Sequence, residues 1–429
     1  MTFYISTTLG DDANPGTLEK PWRTLARANA EQYKGITRIL LRTGETFAGT
    51  LSLSRDNVTQ DDPEDESQLF TQLIVSTYNG DSDKEDIARI EAGEGNGITI
   101  RNLKNIEIIN LDVRGSGYAI NQGWGVLILN DQPGAGRIGA VQIDHVTASG
   151  FRWAGIYVGG VPNDLPGFRA PDECRYGYSD IWINDCTAHD NMYYGIYVSG
   201  PLRPDMTEHA NANVTIHSCK AYDNYGDKLY TANHSGSGIL LDNCATGRIE
   251  QCEAWNNGAE NAGQTGGPCG IWAHASDRIT IAHCKSYANR TGGVADGTGF
   301  DLDGGVTNSV IEYCESWDND GPGYLMWNYE HAPFTLSGNT IRDCVSTDDG
   351  RKHNYGGIHL GTSGAPIFDI YVRDCRVTQS PQADGGLPPC LAVEGKRNEN
   401  IVFRSNMLTT SGGPETRFPE GANGITIAP

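Results

Sequence analysis

The chain has 429 residues, 54 acidic against 32 basic side chains, a formal net charge of −22, 38% hydrophobic residues and 54 glycines. That charge, with no run of Lys or Arg, excludes a phosphate-tracking nucleic-acid binder, and no stretch approaches the ~18 apolar residues of a membrane-spanning helix. The mixture is too apolar and aromatic for disorder and too glycine-rich for a helical or doubly wound domain, so short strands between frequent turns fit it best.

The N-terminus, MTFYISTTLG, carries no basic segment followed by an apolar core. Two locations stay open: cytoplasmic, or secreted or periplasmic with a leader removed. Residues 1–37 read as an entry segment and cap, with Trp22 to Ala30 as a helix. Such a cap is needed because the first coil of a repeat array otherwise exposes its apolar end and strand edges. From about Arg38 the remaining residues, 38–429, read as one body, through GITIRNL and GVLILN to GITIAP at the C-terminus. The acidic runs GDDANPG and DDPEDES are expected as solvated loops, the first also as a weak Ca²⁺ candidate.

Cysteine then supplies a ruler. Cys186, Cys219, Cys252, Cys284, Cys314, Cys344 and Cys375 recur at steps of 33, 33, 32, 30, 30 and 31, in contexts such as HSCKAYDN and EYCESWDN. Asn191, Asn224, Asn257, Asn289 and Asn319 each stand five residues after the first five. Equivalent positions stack rather than cross-link, so a buried free-thiol column and an asparagine turn ladder are expected. Cys174, Cys244, Cys269 and Cys390 lie outside the ruler, and a disulfide among them stays open.

Each repeat also carries a second short strand: GIYVGG from Gly155, GIYVSG from Gly195, GILLDN from Gly238, GIWAHA from Gly270, GFDLDG from Gly299, GYLMWN from Gly323 and GIHLGT from Gly357. Period-two alternation makes these β-strands with one face inward. No amphipathic helix separates them, so a 30–33-residue period means one coil of a parallel β-solenoid. Here the resemblance is to a right-handed parallel β-helix of the pectate-lyase-like superfamily, covering nearly the whole chain in about eleven coils, with an opening similar to the entry segment of bacterial members.

The residues of these strands that face away from the core form two columns. The first runs Tyr157, Tyr197, Leu240, Trp272, Asp301, Leu325, His359, and the second Gly159, Ser199, Asp242, His274, Asp303, Trp327, Gly361. Asp301 and Asp303 are at i and i+2 on one face, about 6–7 Å apart at the backbone, with His274 one coil away and Asp242 two. Glycoside hydrolysis needs two carboxyls, about 5 Å apart for retention or 6.5–9.5 Å for inversion. Asp303 with Asp301 or Asp242 is therefore the candidate catalytic pair, and crowding would raise the proton affinity of one of them. Trp272, Trp327, Tyr197 and Tyr157 offer faces for sugar rings; His274, His359, Glu330 and His331 complete the candidate substrate-binding set. A Ca²⁺ ion on Asp301 and Asp303, helped by Asp296, Asp318 or Asp320, is the competing reading, and for Tyr157 and Tyr197 a stabilising aromatic ladder is.

The resemblance implies a carbohydrate-active enzyme. Its β-eliminating lyases use a Lys or Arg base with Ca²⁺, and GFDLDG…GYLMWN is similar in layout to one lyase pattern, GFDLW…GFKLG, but Leu325 stands where that pattern has lysine. The Asn-Thr-Asp, Gly-His-Gly and Arg-Ile-Lys motifs of pectin-cleaving hydrolases are absent. The expectation is a glycoside hydrolase or transglycosylase acting on a neutral poly- or oligosaccharide, with no required cofactor. A Ca²⁺-dependent lyase or epimerase and a non-catalytic carbohydrate-binding β-helix are the alternatives.

Overall fold

The structure, a computed structural model, describes residues 1–60, 72–78, 87–162, 165–395, 397–420 and 424–429. The DDPEDES run lies outside the described residues. The protein is a parallel β-solenoid of about twelve turns, one more than expected. Two compact units are distinguished: Met1–Met192 with Val198–Pro201 and Ala210–Thr215, and Tyr193–Tyr197 with Leu202–His209 and Ile216–Pro429.

In the first unit the entry segment is joined to the solenoid by a parallel pairing of Thr2–Ile5 with Thr37–Arg42. The helix shrinks to Leu25–Asn29, started by Thr24, whose side chain accepts the Arg27 N–H. Asn29 bonds to Thr50 and Ser52 at the first turn. One sheet stacks β1 (Leu51–Ser54), β2 (Ile98–Arg101), β3 (Val126–Asn130) and β4 (Ala154–Gly160) in unbroken register, with Leu51, Ile98, Val126 and Ile156 as one column.

In the second unit the corresponding sheet comprises β5 (Ser237–Asp242), β6 (Cys269–His274), β7 (Thr298–Asp303), β8 (Tyr324–Asn328), β9 (Ile358–Thr362), β10 (Leu391–Glu394) and β11 (Thr416–Arg417). Ile239, Ile271, Phe300, Tyr324, Ile358 and Leu391 form its inward column, each at most 1% exposed. Facing it, Ile249, Ile281, Ile311, Ile341, Val372 and Phe403 make the opposing column. Burying each such side chain stabilises the fold by about 1.5–3 kcal/mol.

The corners explain the ruler. In the second unit the residue before each ladder cysteine (Ser218, Gln251, His283, Tyr313, Asp343, Asp374) and the residue before each ladder asparagine are left-handed, a conformation Asn and Asp reach most cheaply. All eleven cysteines are buried free thiols, which settles the four outside the ruler, and the Cys219, Cys252 and Cys284 N–H groups each donate 3.4 Å to the next cysteine sulfur. The asparagine amides run head to tail: Asn224 to Asn257, Asn257 to Asn289, Asn289 to Asn319, and Asn319 to Asp349, at 2.7–3.0 Å. This ladder dictates the strand glycines. A Cβ at Gly270 would stand 2.0 Å from Ser286 Oγ and 2.7 Å from Asn289 Nδ2.

Candidate functional site

The two columns exist in register. Leu240, Trp272, Asp301, Leu325 and His359 pair turn by turn, as do Asp242, His274, Asp303, Trp327 and Gly361. What differs is their exposure. Side chains that leave the core do not reach solvent freely, because the long connections fold back over the sheet. Tyr197 and His359 are 0% exposed, Asp301 2%, Trp272 and Leu325 4%. Tyr197 is stacked under Tyr194 at 4.1 Å. His359 lies edge-on to Tyr355 at 5.2 Å, and burial, with the Arg417 charge, pushes its pKa down to about 3. In the first unit Tyr157 is also 0% exposed, its ring 4.7 Å from Trp124 and its hydroxyl bonded to the Gly160 carbonyl. Tyr157, Tyr197 and His359 are therefore packing residues, not sugar platforms; the sequence shows which side a strand residue takes but not what returns to cover it.

Three stacked loops of the second unit supply the cover. Thr265 Oγ1 donates to Ala232 O at 2.7 Å and Gln264 N–H to Thr231 O at 3.0 Å. Val294 N–H donates to Gly263 O, and Gly267 N–H to Asp296 Oδ2 at 2.8 Å. From this wall His234 sets its ring edge-on to Trp272 at 5.1 Å. On the other side, Tyr329 follows β8 and closes on His274.

Beneath these walls lies a carboxylate cluster. Asp303 is half-buried, and burial pushes its pKa up to about 6 against the opposing pull of His274. Asp296 rises to about 7, by burial and then by the Asp303 charge. Asp301 is held well above the ordinary carboxylate range by burial and by both neighbours. Asp301 Oδ1, Asp303 Oδ1, Trp272 Nε1 and His234 Nδ1 are buried atoms without a hydrogen-bond partner among the described residues. Burying a polar atom unpaired costs about 1–3 kcal/mol, so four on neighbouring side chains mark where a polar ligand belongs.

Asp242 is engaged differently. Its Oδ1 lies 2.8 Å from His274 Nδ1, and His274 Nε2 lies 2.8 Å from the Tyr329 hydroxyl. A carboxylate only accepts, so Nδ1 carries the proton and, in the neutral ring, Nε2 accepts from Tyr329. Gly304 makes this contact possible: at φ +45° it leaves no room for a Cβ, which would stand 2.6 Å from both His274 Nε2 and Tyr329 Cε1. Trp327, half-buried, covers Gly361. Glu330 and His331 are exposed and bracket no column residue; Glu330 rests on Gly364. Sequence reasoning missed Tyr329 and His234 and named Asp296 only as a metal helper. Tyr329 continues the period-two face of Leu325 and Trp327 beyond the strand, a signal that was readable; the reach of His234 from its loop was not.

The donor set does not fit Ca²⁺, which takes about six to eight oxygens. Asp318 is paired to Arg290 at 2.7 Å, and Asp320 to Lys352 at 2.8 Å and Arg290 at 3.6 Å. In GDDANPG, Asp12 accepts from the Arg23 and Thr24 backbone and the Thr24 hydroxyl. Among the described residues the one group of three ligand-type side chains within 4.8 Å is Asp144, His145 and Asp185, in the first unit. They are already bonded among themselves and to Asn184.

Residues 124–305 match the family model described as right handed beta helix region. The chain has the fold of a right-handed parallel β-helix. This β-helix superposes on the GH136 lacto-N-biosidase from Eubacterium ramulus with a TM-score of 0.59 and 13% identity, over 99% of this chain and 68% of that one. It is also similar to the A-module of the mannuronan C-5 epimerase AlgE4 from Azotobacter vinelandii, with a TM-score of 0.51 and 11% identity over 91% and 90% of the two chains. A third similar structure is the Agl-KA catalytic domain, with a TM-score of 0.53 and 10% identity over 91% and 62%. No curated protein sequence matches this β-helix. At these identities the likenesses establish the fold, and no helix of the described residues is long and apolar enough to cross a membrane.

Proposed function

We propose that this β-helix is a carbohydrate-active enzyme, a glycoside hydrolase or a transglycosylase, acting on a neutral poly- or oligosaccharide. One observation carries the reading: Asp296, Asp301 and Asp303 crowd together beside His274 with raised proton affinities, and Asp301 and Asp303 each keep an unpartnered oxygen. Asp296, near 7, holds a proton at mildly acidic pH and serves as general acid to the glycosidic oxygen. Asp303, near 6, is the base or nucleophile. Asp301, on the floor and itself kept protonated by burial and by the Asp303 and Asp296 charges, offers its unpartnered oxygen to a substrate hydroxyl. Asp242 acts through His274 rather than on the bond. Trp327, half-buried next to Asp303 in the column, is the ring on which a sugar would stack. The chain's −22 charge opposes a polyanionic substrate. That the similar structures include a lacto-N-biosidase agrees with this reading.

A lyase or epimerase is favoured by one feature, the Asp242–His274–Tyr329 chain, which has the form of a base for a sugar C–H proton. It lacks a cation beside it to neutralise a uronate, since neither column holds Lys or Arg over the turns from Leu240 to His359 and from Asp242 to Gly361. Incubation with a panel of neutral and uronate glycans separates the two. Hydrolysis releases reducing ends without an ultraviolet-absorbing unsaturated product; unsaturated ends, or epimerised uronates, from the uronate glycans alone overturn the proposal.

A further inference from the structure

A separate cleft of about 340 Å³ opens in the first unit, lined by Gln72, Asn105, Glu107, Gln142 and Trp182 among others. It lies on the other sheet from β1–β4, built by Leu73–Tyr78, Ile106–Gly115, Val141–Ser149 and Ser179–Asn184. Ile74, Glu107, Gln142 and Trp182 are paired turn by turn there, so their side chains form one outward column with about 4.8 Å between neighbours. The floor is closed by Ile106 and Val141, at 1% and 0% exposure.

Trp182 is 48% exposed and no aromatic or cationic side chain covers its ring among the described residues. The contrast lies in the second unit, where Tyr222, Trp255, Tyr287 and Trp317 stack within 12° of parallel at 4.2–5.8 Å. Those rings use their faces on one another and are a stabilising ladder. The face of Trp182 is unused. Gln142, half-buried beside it, makes no side-chain hydrogen bond among the described residues. Glu107 takes the Gln72 amide on one oxygen and keeps the other. Asn105 accepts the Ala140 N–H and keeps its amino group.

From this arrangement we propose that the first unit carries a second, non-catalytic binding site for a neutral oligosaccharide, seated on Trp182. An indole face stacks against the C–H side of a pyranose, while planar amide and carboxylate groups beside it bond the ring hydroxyls, the usual division of labour in such clefts. An apolar peptide would leave Gln142, Asn105 and Glu107 desolvated and unpaired. The five polar and aromatic side chains named above include no Lys or Arg, which disfavours an anionic ligand. The site holds polymer on the protein independently of turnover, so its fate and that of the hydrolase reading are separable.

The test is native affinity electrophoresis of the full chain, in an Asp303→Asn background, through gels cast with galactomannan, xyloglucan, arabinoxylan, mixed-linkage β-glucan or glycogen. At least one should retard the protein. Trp182→Ala should weaken apparent affinity about tenfold, and Gln142→Ala by less, with unfolding temperatures unchanged because both side chains are at the surface. Retardation by none of the five overturns the proposal. So does equal retardation of the Trp182→Ala variant, or retardation that disappears with Trp327→Ala but not with Trp182→Ala.

Discussion

Asp242 Oδ1 and His274 Nδ1, on adjacent turns of one sheet, stand 2.8 Å apart, and the far nitrogen of that ring holds the Tyr329 hydroxyl at the same distance. The stack sets the first contact, because Asp242 and His274 are Cα partners. The carboxylate fixes the tautomer and orientation of the ring, and the ring fixes the phenol against Gly304, next to Asp303 in the chain. Asp242→Asn preserves the volume but offers an amide that no longer dictates which nitrogen carries the proton. Turnover should fall about 10–100-fold, with KM changed little and the thermal unfolding temperature retained. Tyr329→Phe should lower turnover by less and shift its pH profile, since the phenol is uncharged and only orients. Unchanged turnover and pH profile in both variants would remove this chain from the mechanism.

Asp296→Asn and Asp303→Asn should each reduce turnover by about a hundredfold or more. With groups near 6 and 7 as the ionised and protonated partners, wild-type turnover should be bell-shaped, highest between about pH 6 and 7. Asp296→Asn should flatten the alkaline limb and Asp303→Asn the acid limb of what activity remains. Reversed limbs would exchange the acid and base roles, and two unaffected variants would place the chemistry elsewhere.

Asp349 yields a stability measurement independent of activity. It occupies the ladder position of Asn319 one turn on, fully buried, and accepts from the Asn319 amide and the Ser346 hydroxyl at 2.7 Å each. Burial pushes its pKa up to about 7, from an ordinary 3.8. The folded state therefore binds a proton the unfolded chain has lost. This stabilising contribution is full below about pH 4 and drains away as pH rises through 7, by about 1.4 kcal/mol per pH unit in between. Asp349→Asn should raise the unfolding temperature at pH 8, change it little at pH 5, and flatten the slope between them. A variant less stable at pH 8 than the wild type would show that the ladder needs the negative charge.

The sequence showed the solenoid clearly because its causes repeat. Successive turns from Cys186 to Asn319 repeat a small inward residue at the cysteine and an amide at the ladder, so the same letters return at Cys252, Asn257, Cys284 and Asn289. The columns were legible for the same reason: period two fixes the side on which Trp272, Asp301 and Asp303 emerge. Their surroundings were not. Whether Tyr197 meets solvent or Tyr194, and whether His234 reaches Trp272, depends on loops of unequal length whose paths carry no period. Asp296 belongs to this class, since it sits in such a loop and joins the cluster only when that loop stacks on Gly267.

The ladder itself can be broken at one rung. Asn257 Oδ1 receives both the backbone N–H and the side-chain amide of Asn224, at 3.2 and 2.9 Å, while its own amide serves Asn289 and Ala221 O. All three asparagines are 0% exposed, so no water replaces a missing partner. Asn257→Ala leaves two donors and two acceptors each short of a bond, and with about 1–3 kcal/mol for a buried group left unpaired the second unit should lose about 3 kcal/mol. Asn257→Asp keeps the acceptor oxygen and loses only the two donated bonds, so at mildly acidic pH it should cost less than the alanine. Chemical denaturation of both variants decides the matter. Equal losses would assign the cost to the two bonds both variants lose, those donated to Ala221 O and Asn289 Oδ1, rather than to the orphaned Asn224 donors.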